Sequence, residues 1–318
     1  MTWTREYIWK NHRKCCPFFL EMFTLTQCKG IICFIIMIFF IGCKSSFYYS
    51  YEEKDGPFYG GEYAHQNFET DKGKEIKVVS YNIEFANNFR EAIDLFSSGI
   101  LEDYDVLLLQ EMDEVATDAV AKALNCNYIY YPSINHPGQR KLVGNAILSK
   151  WPIVDHEKVL LPHPSLYPVI TKFKTYKFRK IATVAHIDIN GVKVKFYSIH
   201  GAAFNTSKAR KALAGEIADD INRSESDKVV VGGDFNTVGY GDILSTIKPF
   251  KSIGMEWATE KIGRTIGHKK WMVSFFPSEA FQTDHIFVKG LEIMDLGKIE
   301  NTIISDHYPL WINLRIED

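Results

Sequence analysis

Six places in this 318-residue sequence end an apolar, strand-like run on residues that can carry chemistry. "VVSYNIEF" brings Asn82 and then Glu84, and "VLLLQEMDE" brings Gln110 and Glu111. "VKVKFYSIHG" brings His200, and "VVVGGDFN" brings Asp234 and Asn236. "FQTDHIFV" brings Asp284, and "IISDHYPL" brings Asp306 and His307. Any one of these alone reads as a turn or helix cap. Together they suit one task, because loops at strand ends are where a rigid scaffold presents reacting groups. Glu, Asp and Asn oxygens suit a hard cation such as Mg²⁺, which binds through one or two carboxylates plus phosphate oxygens. A histidine beside an aspartate offers an oriented proton carrier.

The elements that must position these groups follow from the pattern. Strand-like runs cover Glu75–Phe85, Val106–Gln110, Gly144–Leu148, Val169–Tyr176, Lys180–Ile189, Val192–Ile199, Val229–Val231, Met272–Phe276, His285–Val288 and Tyr308–Leu314. Asn190-Gly191 between two alternating strands is a hairpin signal. The clearest helix is Ser207–Asn222, with Leu213, Ile217 and Ile221 at four-residue steps and Thr206 able to cap it. Shorter helical runs lie near Phe89–Phe96 and Thr117–Leu124. Many strands with few interspersed helices suggest an α/β (α+β) domain of two packed sheets flanked by helices.

The ordered set "SYNIE", "LLLQE", "GNAILSKWPI", "SIHG", "GGDFN", "TDHIFVKG" and "SDHYPL" resembles the endonuclease/exonuclease/phosphatase superfamily, with its deoxyribonuclease-like metal-dependent phosphodiesterase fold, over roughly residues 75–318. The resemblance implies a four-layer α/β/β/α sandwich of two mostly antiparallel sheets, with the site at one edge. It implies that Glu111 is the principal metal ligand, with Asn82 and Asp306 completing or supporting the metal environment for Mg²⁺ (or Mn²⁺ or Ca²⁺). His307 matches the histidine that activates water or stabilises the transition state, and Asp284 its orienting partner. Asp234 matches the aspartate that positions or deprotonates the nucleophile, and Asn236 the amide that binds the scissile phosphate. His200 matches the second histidine of the deoxyribonuclease and sphingomyelinase branches. Asn145, in "GNAILSK", is expected either to contact phosphate or to brace its loop.

Other residues have blander readings. His285 is expected to pack, His186 to sit half-buried on a strand, and Asp113 and Glu114 to lie on the surface. Lys172, Lys174, Lys177, Arg179 and Lys180, with Arg140-Lys141 and "HKK" at 268–270, read as a solvated edge or a polyanion contact. Trp271, Phe275 and Phe276 read equally as core or groove.

Composition divides the chain. Hydrophobic residues make up 46%, enough for a substantial core. Residues 1–43 hold five Lys/Arg and two Glu, whereas the whole chain is −2, so the remainder is acidic. An acidic body suits clustered carboxylates neutralised by metal better than general polyanion binding. Five of the six cysteines precede residue 44, leaving Cys126 alone and excluding a disulfide framework or thiolate metal site in the body.

"IICFIIMIFFI" (31–41) is shorter than the roughly 20 residues of a membrane span and fits a signal core of roughly 7–15. Followed by Gly42-Cys43, it resembles a bacterial lipoprotein signal, with Met22 an attractive start; an uncleaved anchor or a buried helix are the alternatives. The expected organisation is leader 1–43, tether 44–74 and catalytic domain 75–318. The expected protein is a monomeric, envelope-tethered hydrolase. Three substrate readings compete: a nuclease acting on nucleic acid, a phosphodiesterase or phosphatase on lipid headgroups or small esters, and a catalytically silent surface lipoprotein.

Overall fold

The structure, a computed structural model, describes residues 56–64, 75–136, 139, 141–162, 179–203, 205–224, 226–267 and 278–317. The leader, most of the tether, and the runs Val169–Tyr176 and Met272–Phe276 lie outside the described residues. So do Lys172, Lys174, Lys177, Arg140, "HKK" and the three aromatics Trp271, Phe275 and Phe276.

Alternation of apolar residues builds two sheets. The first contains β1 (Tyr59–Gly61), β2 (Glu75–Asn82), β3 (Val106–Met112), β4 (Asn127–His136), β5 (Lys141–Ser149), β12 (Glu292–Lys298) and β13 (Leu310–Arg315), in the order β1-β4-β5-β3-β2-β13-β12. The second contains β6 (Ile153–Leu160), β7 (Ile181–Ile189), β8 (Val192–His200), β9 (Val229–Asp234), β10 (Glu256–Trp257) and β11 (Asp284–Lys289), in the order β10-β11-β9-β8-β7-β6. Val106 and Leu108 point between the sheets with Ile147, Phe196, Val230, Ile286 and Ile312. Leu107 and Leu109 point to the opposite face, against α1 (Phe89–Phe96) and α2 (Glu114–Ala123). On the far side Val229, Val231 and Tyr197 pack beneath α3 (Ser207–Arg223) and α4 (Gly239–Ser252) through Leu213, Ile217, Ile221, Ile243 and Phe250. Each such aliphatic side chain, fully buried, contributes roughly 1.5–3 kcal/mol. The result is helices, sheet, sheet, helices: the expected four layers.

Two parallel pairs decide where the site forms. All neighbouring strands run antiparallel except β2–β3 and β8–β9. The first pair sets Asn82 beside Gln110, and the second sets His200 beside Asp234. Antiparallel β11 starts at Asp284, opposite Asp234, and antiparallel β13 enters beside β2 directly after Asp306 and His307. All six chemistry-bearing strand ends therefore meet at one edge.

The hairpin at Asn190-Gly191 has both residues at positive φ (53° and 85°), as a two-residue turn of this kind requires. Helix α1 has the expected bounds, and α2 begins three residues early because the Asp113 side chain accepts from Ala116 N (2.8 Å). Thr206 caps α3 as expected. Part of the presumed tether departs from the reading: Tyr59–Gly61 pairs with Tyr128–Tyr130 as an edge strand. Among the described residues, no helix is long and apolar enough to cross a membrane.

Candidate active site

A bulge aims the first carboxylate. The register between β3 and β5 slips between Leu109 and Met112, and within that slip Glu111 adopts φ 57°. A left-handed conformation costs a non-glycine residue about 1–2 kcal/mol, and a bulge is a standard way to re-aim a side chain. Next to it, Glu84, Phe85 and Ala86 also have positive φ (43°, 59°, 52°), forming a turn that sends Phe85 N to Glu111 Oε2 (3.0 Å). Lys141 Nζ fastens this turn by donating to Phe85 O and to Asp113 Oδ2.

Asn82 joins the two sheets. Its Nδ2 donates to Glu111 Oε1 (3.2 Å) and to Asp234 Oδ2 (3.0 Å), and its Oδ1 accepts from Glu84 N (3.1 Å). Asn82, expected to complete or support the metal environment, here turns its Nδ2 toward both carboxylates and so braces them. Asp234 is 1% exposed and also accepts from Asn236 N (2.8 Å) and Asn236 Nδ2 (3.0 Å). Asn236 sits at φ 53°, and its Nδ2 additionally donates to Gly201 O (3.1 Å). A phosphate oxygen accepting a hydrogen bond from this amide must replace one of those two partners.

The structure brings His307 and Asp284 together. His307 Nδ1 lies 2.9 Å from Asp284 Oδ2, which also accepts from Thr265 Oγ1 (2.6 Å) and Thr283 Oγ1 (2.7 Å). His307 Nε2 faces Asp234 Oδ2 (3.7 Å) and Asp306 Oδ1 (3.8 Å). His200 Nε2 faces Glu111 Oε1 (3.5 Å) and Asp234 Oδ2 (3.7 Å).

Asn145, expected to contact phosphate or to brace, sits in a bracing position. It is buried, and its Nδ2 donates to Ile181 O (3.0 Å) and Ser198 O (3.3 Å), clamping β5 of one sheet to β7 and β8 of the other. Its Oδ1 has no partner, and as an acceptor it has nothing to offer a phosphate oxygen. Of its two expected roles, bracing stands. His285 packs, with Trp257 Nε1 donating to its Nδ1 (3.2 Å) and its Nε2 against Thr237 Oγ1 (2.8 Å).

Burial sets the charges. Desolvation raises the Glu111 carboxyl above its usual range, against Lys180 and His307, which lower it. Desolvation likewise raises Asp234 to about 7, with His307 opposing. For His307 burial acts downward, but Asp284 and Asp234 outweigh it and hold the imidazolium to about 10. His200 is pushed well below its ordinary value by burial, then by Lys180 and His307.

The donor set fits a hard divalent cation. Glu111, Asp234 and Asp306 offer oxygen only, and the raised Glu111 and Asp234 mark carboxylates short of positive charge. The ligand atoms of Asp234, Asp284 and His307 also lie within 4.8 Å of one another. That trio is a poorer cradle, because Asp284 Oδ2 already accepts three hydrogen bonds.

Two further residues make contacts at the candidate site that the strand-end pattern does not announce. Lys180 was grouped with a basic stretch, yet its Nζ lies 3.4 Å from His200 Nδ1. Arg210 is buried on α3, bonded to Asp242 (2.8 Å) and to the carbonyls of Ala202 (3.2 Å) and Ala203 (3.3 Å), and so fixes the loop after His200. Arg210 had a signal: it falls on the apolar stripe of Leu213, Ile217 and Ile221. Lys180 had none.

Residues 79–307 match the family described as Endonuclease/Exonuclease/phosphatase family. Solved structures with the same fold include an endonuclease/exonuclease/phosphatase family protein from Bacteroides thetaiotaomicron (17% identity, 77% of this chain and 98% of that one, TM-score 0.58). A mannosyl-6-phosphatase from Bacteroides thetaiotaomicron is similar (18%, 75% and 99%, TM-score 0.57). So is TDP2 of D. rerio, complexed with a single-strand DNA product (14%, 76% and 99%, TM-score 0.56). No curated protein sequence matches the chain.

Proposed function

Because this chain belongs to the endonuclease/exonuclease/phosphatase family, whose members are hydrolytic phosphoesterases and generally depend on a divalent metal, we propose that it is a Mg²⁺-dependent hydrolase of phosphodiesters, most simply a nuclease. The observation that carries this is the seam itself. Asn82 ties Glu111 to Asp234, and the Asp284-held His307 faces that same Asp234 oxygen.

Glu111 and Asp306 would hold the cation, with Asp234 beside them. When bound, Mg²⁺ supplies charge neutralisation at the phosphoryl oxygens and lowers the pKa of a coordinated water. Asp234, buried and held by Asn82 and Asn236, is placed to take a proton from the attacking water. His307, kept cationic by Asp284, donates through Nε2 to a phosphoryl oxygen as negative charge grows there. The bond formed is water oxygen to phosphorus, and the bond broken joins phosphorus to the leaving alcohol.

The second reading is a phosphomonoesterase, favoured by the similarity to a mannosyl-6-phosphatase. We further infer that the leader tethers the body to an envelope membrane and that the body acts as a monomer. Acyl groups on a mature chain starting at Cys43 support the first of these, and an unacylated chain starting earlier rejects it.

The test is hydrolysis of plasmid DNA, bis-p-nitrophenyl phosphate, mannose 6-phosphate and sphingomyelin in parallel. EDTA is expected to abolish activity. His307→Ala and Asp234→Asn are each expected to lose about 10²–10⁴-fold. Variants as active as wild type would overturn the site, and turnover of the monoester alone would move the assignment to the second reading.

A further inference from the structure

The two histidines of the site are held by partners of opposite character. His307 Nδ1 meets a carboxylate, Asp284 Oδ2 at 2.9 Å, so that nitrogen carries a proton. His200 Nδ1 meets the Lys180 side chain, Nζ at 3.4 Å, where burial pulls the lysine's pKa down while the facing carboxylates of Glu111 and Asp234 favour its ammonium form. An ammonium has three N–H donors and no acceptor, so His200 Nδ1 must present its lone pair. The imidazole proton is then on Nε2, the nitrogen that faces Glu111 Oε1 (3.5 Å) and Asp234 Oδ2 (3.7 Å).

The neighbours of this contact fix its direction. Lys180 stands immediately before β7, which pairs with β8, and His200 ends β8, so the two side chains reach the site edge from adjacent strands. The His200 side chain is 12% exposed, so water competes little for Nδ1. Which nitrogen carries the proton is set by the bond the other one makes.

We propose that Lys180 is a positioning residue that locks His200 in the Nε2–H tautomer, so that His200 offers a neutral N–H donor to the phosphoryl group beside Glu111 and Asp234. This rests on the hydrolase reading for its catalytic half and on geometry for its structural half. Replacing the ammonium removes the donor at Nδ1, freeing the ring to move its proton there and leave a lone pair facing two carboxylates and an incoming anion. The same substitution leaves the Asp284–His307 pair intact.

The experiment uses the full chain with ¹⁵N-labelled histidine. Long-range ¹H–¹⁵N spectra are recorded for wild type, Lys180→Met and Lys180→Arg, with His200→Gln to assign the signals. Wild type is expected to show His200 protonated at Nε2 and bare at Nδ1. In Lys180→Met the proton distributes over both nitrogens, and in Lys180→Arg, which restores a donor, it returns to Nε2. On bis-p-nitrophenyl phosphate, kcat of Lys180→Met is expected to fall about tenfold or more, with KM within about threefold of wild type. Lys180→Gln replaces the methionine variant if thermal melting shows that one unfolded. A wild-type spectrum with Nδ1 protonated, or a His200 signature unchanged in Lys180→Met, overturns the proposal. So does a shifted tautomer with unchanged kcat, which removes the catalytic half. Because the spectra read the tautomer whether or not hydrolysis is detected, an inert enzyme would sink the hydrolase reading without deciding this one.

Discussion

Glu111 shows how one residue takes its role from its surroundings. Left-handed backbone and donors from Phe85 N and Asn82 Nδ2 hold a half-buried carboxylate whose charge desolvation disfavours. A divalent cation relieves that penalty, and anything that binds the folded state alone stabilises it. Mg²⁺ is therefore expected to raise the melting temperature of wild type by several degrees. Glu111→Gln is expected to melt at least as high as wild type in EDTA, and to lose both activity and the Mg²⁺-induced rise. A Glu111→Gln protein with a full Mg²⁺-induced rise would remove Glu111 from the metal site.

Elements rather than residues explain the paired glycines of "VVVGGDFN". Gly233 has φ 152°, and a Cβ there would lie 2.0 Å from Ile199 O on β8. The absent side chain lets β9 lie close enough to β8 for His200 and Asp234 to share a register position. Gly233→Ala is expected to cost about 2 kcal/mol or more, read by denaturant midpoint, and to depress activity further than the stability loss explains. A variant with wild-type stability and rate would show that β9 can shift without harm. The site was legible in the sequence because its residues sit at strand ends, where apolar runs stop abruptly. Elements lacking that contrast were not. β4 carries Pro132 at a bulge in an otherwise buried strand, β6 places charged residues on its open face, and α4 contains Gly241 and Pro249. Lys180 was illegible for another reason: its significance is a contact with His200, 20 residues away in sequence.

At the scale of the whole molecule, neither sheet owns the site. Asn82 and Glu111 come from the seven-stranded sheet, and Asp306 and His307 directly precede its strand β13. His200, Asp234 and Asp284 come from the six-stranded sheet, with Asn236 just beyond β9. Between them lies one apolar core, so loss of activity and loss of far-UV circular dichroism are expected at the same denaturant concentration. Activity vanishing well before the dichroism would show that the sheets separate while each survives.

The route of the chain through the two sheets has a consequence for its synthesis. The polypeptide lays down β1 to β5, crosses to build β6 to β11, and only then returns with β12 and β13. Asp306 and His307 are thus translated after every other site residue, and β13 is the strand that joins β12 to β2. A nascent chain holds Asp234 long before His307. A product cut short before residue 306 would lack β13 together with Asp306 and His307, and so could complete neither the seven-stranded sheet nor the candidate site.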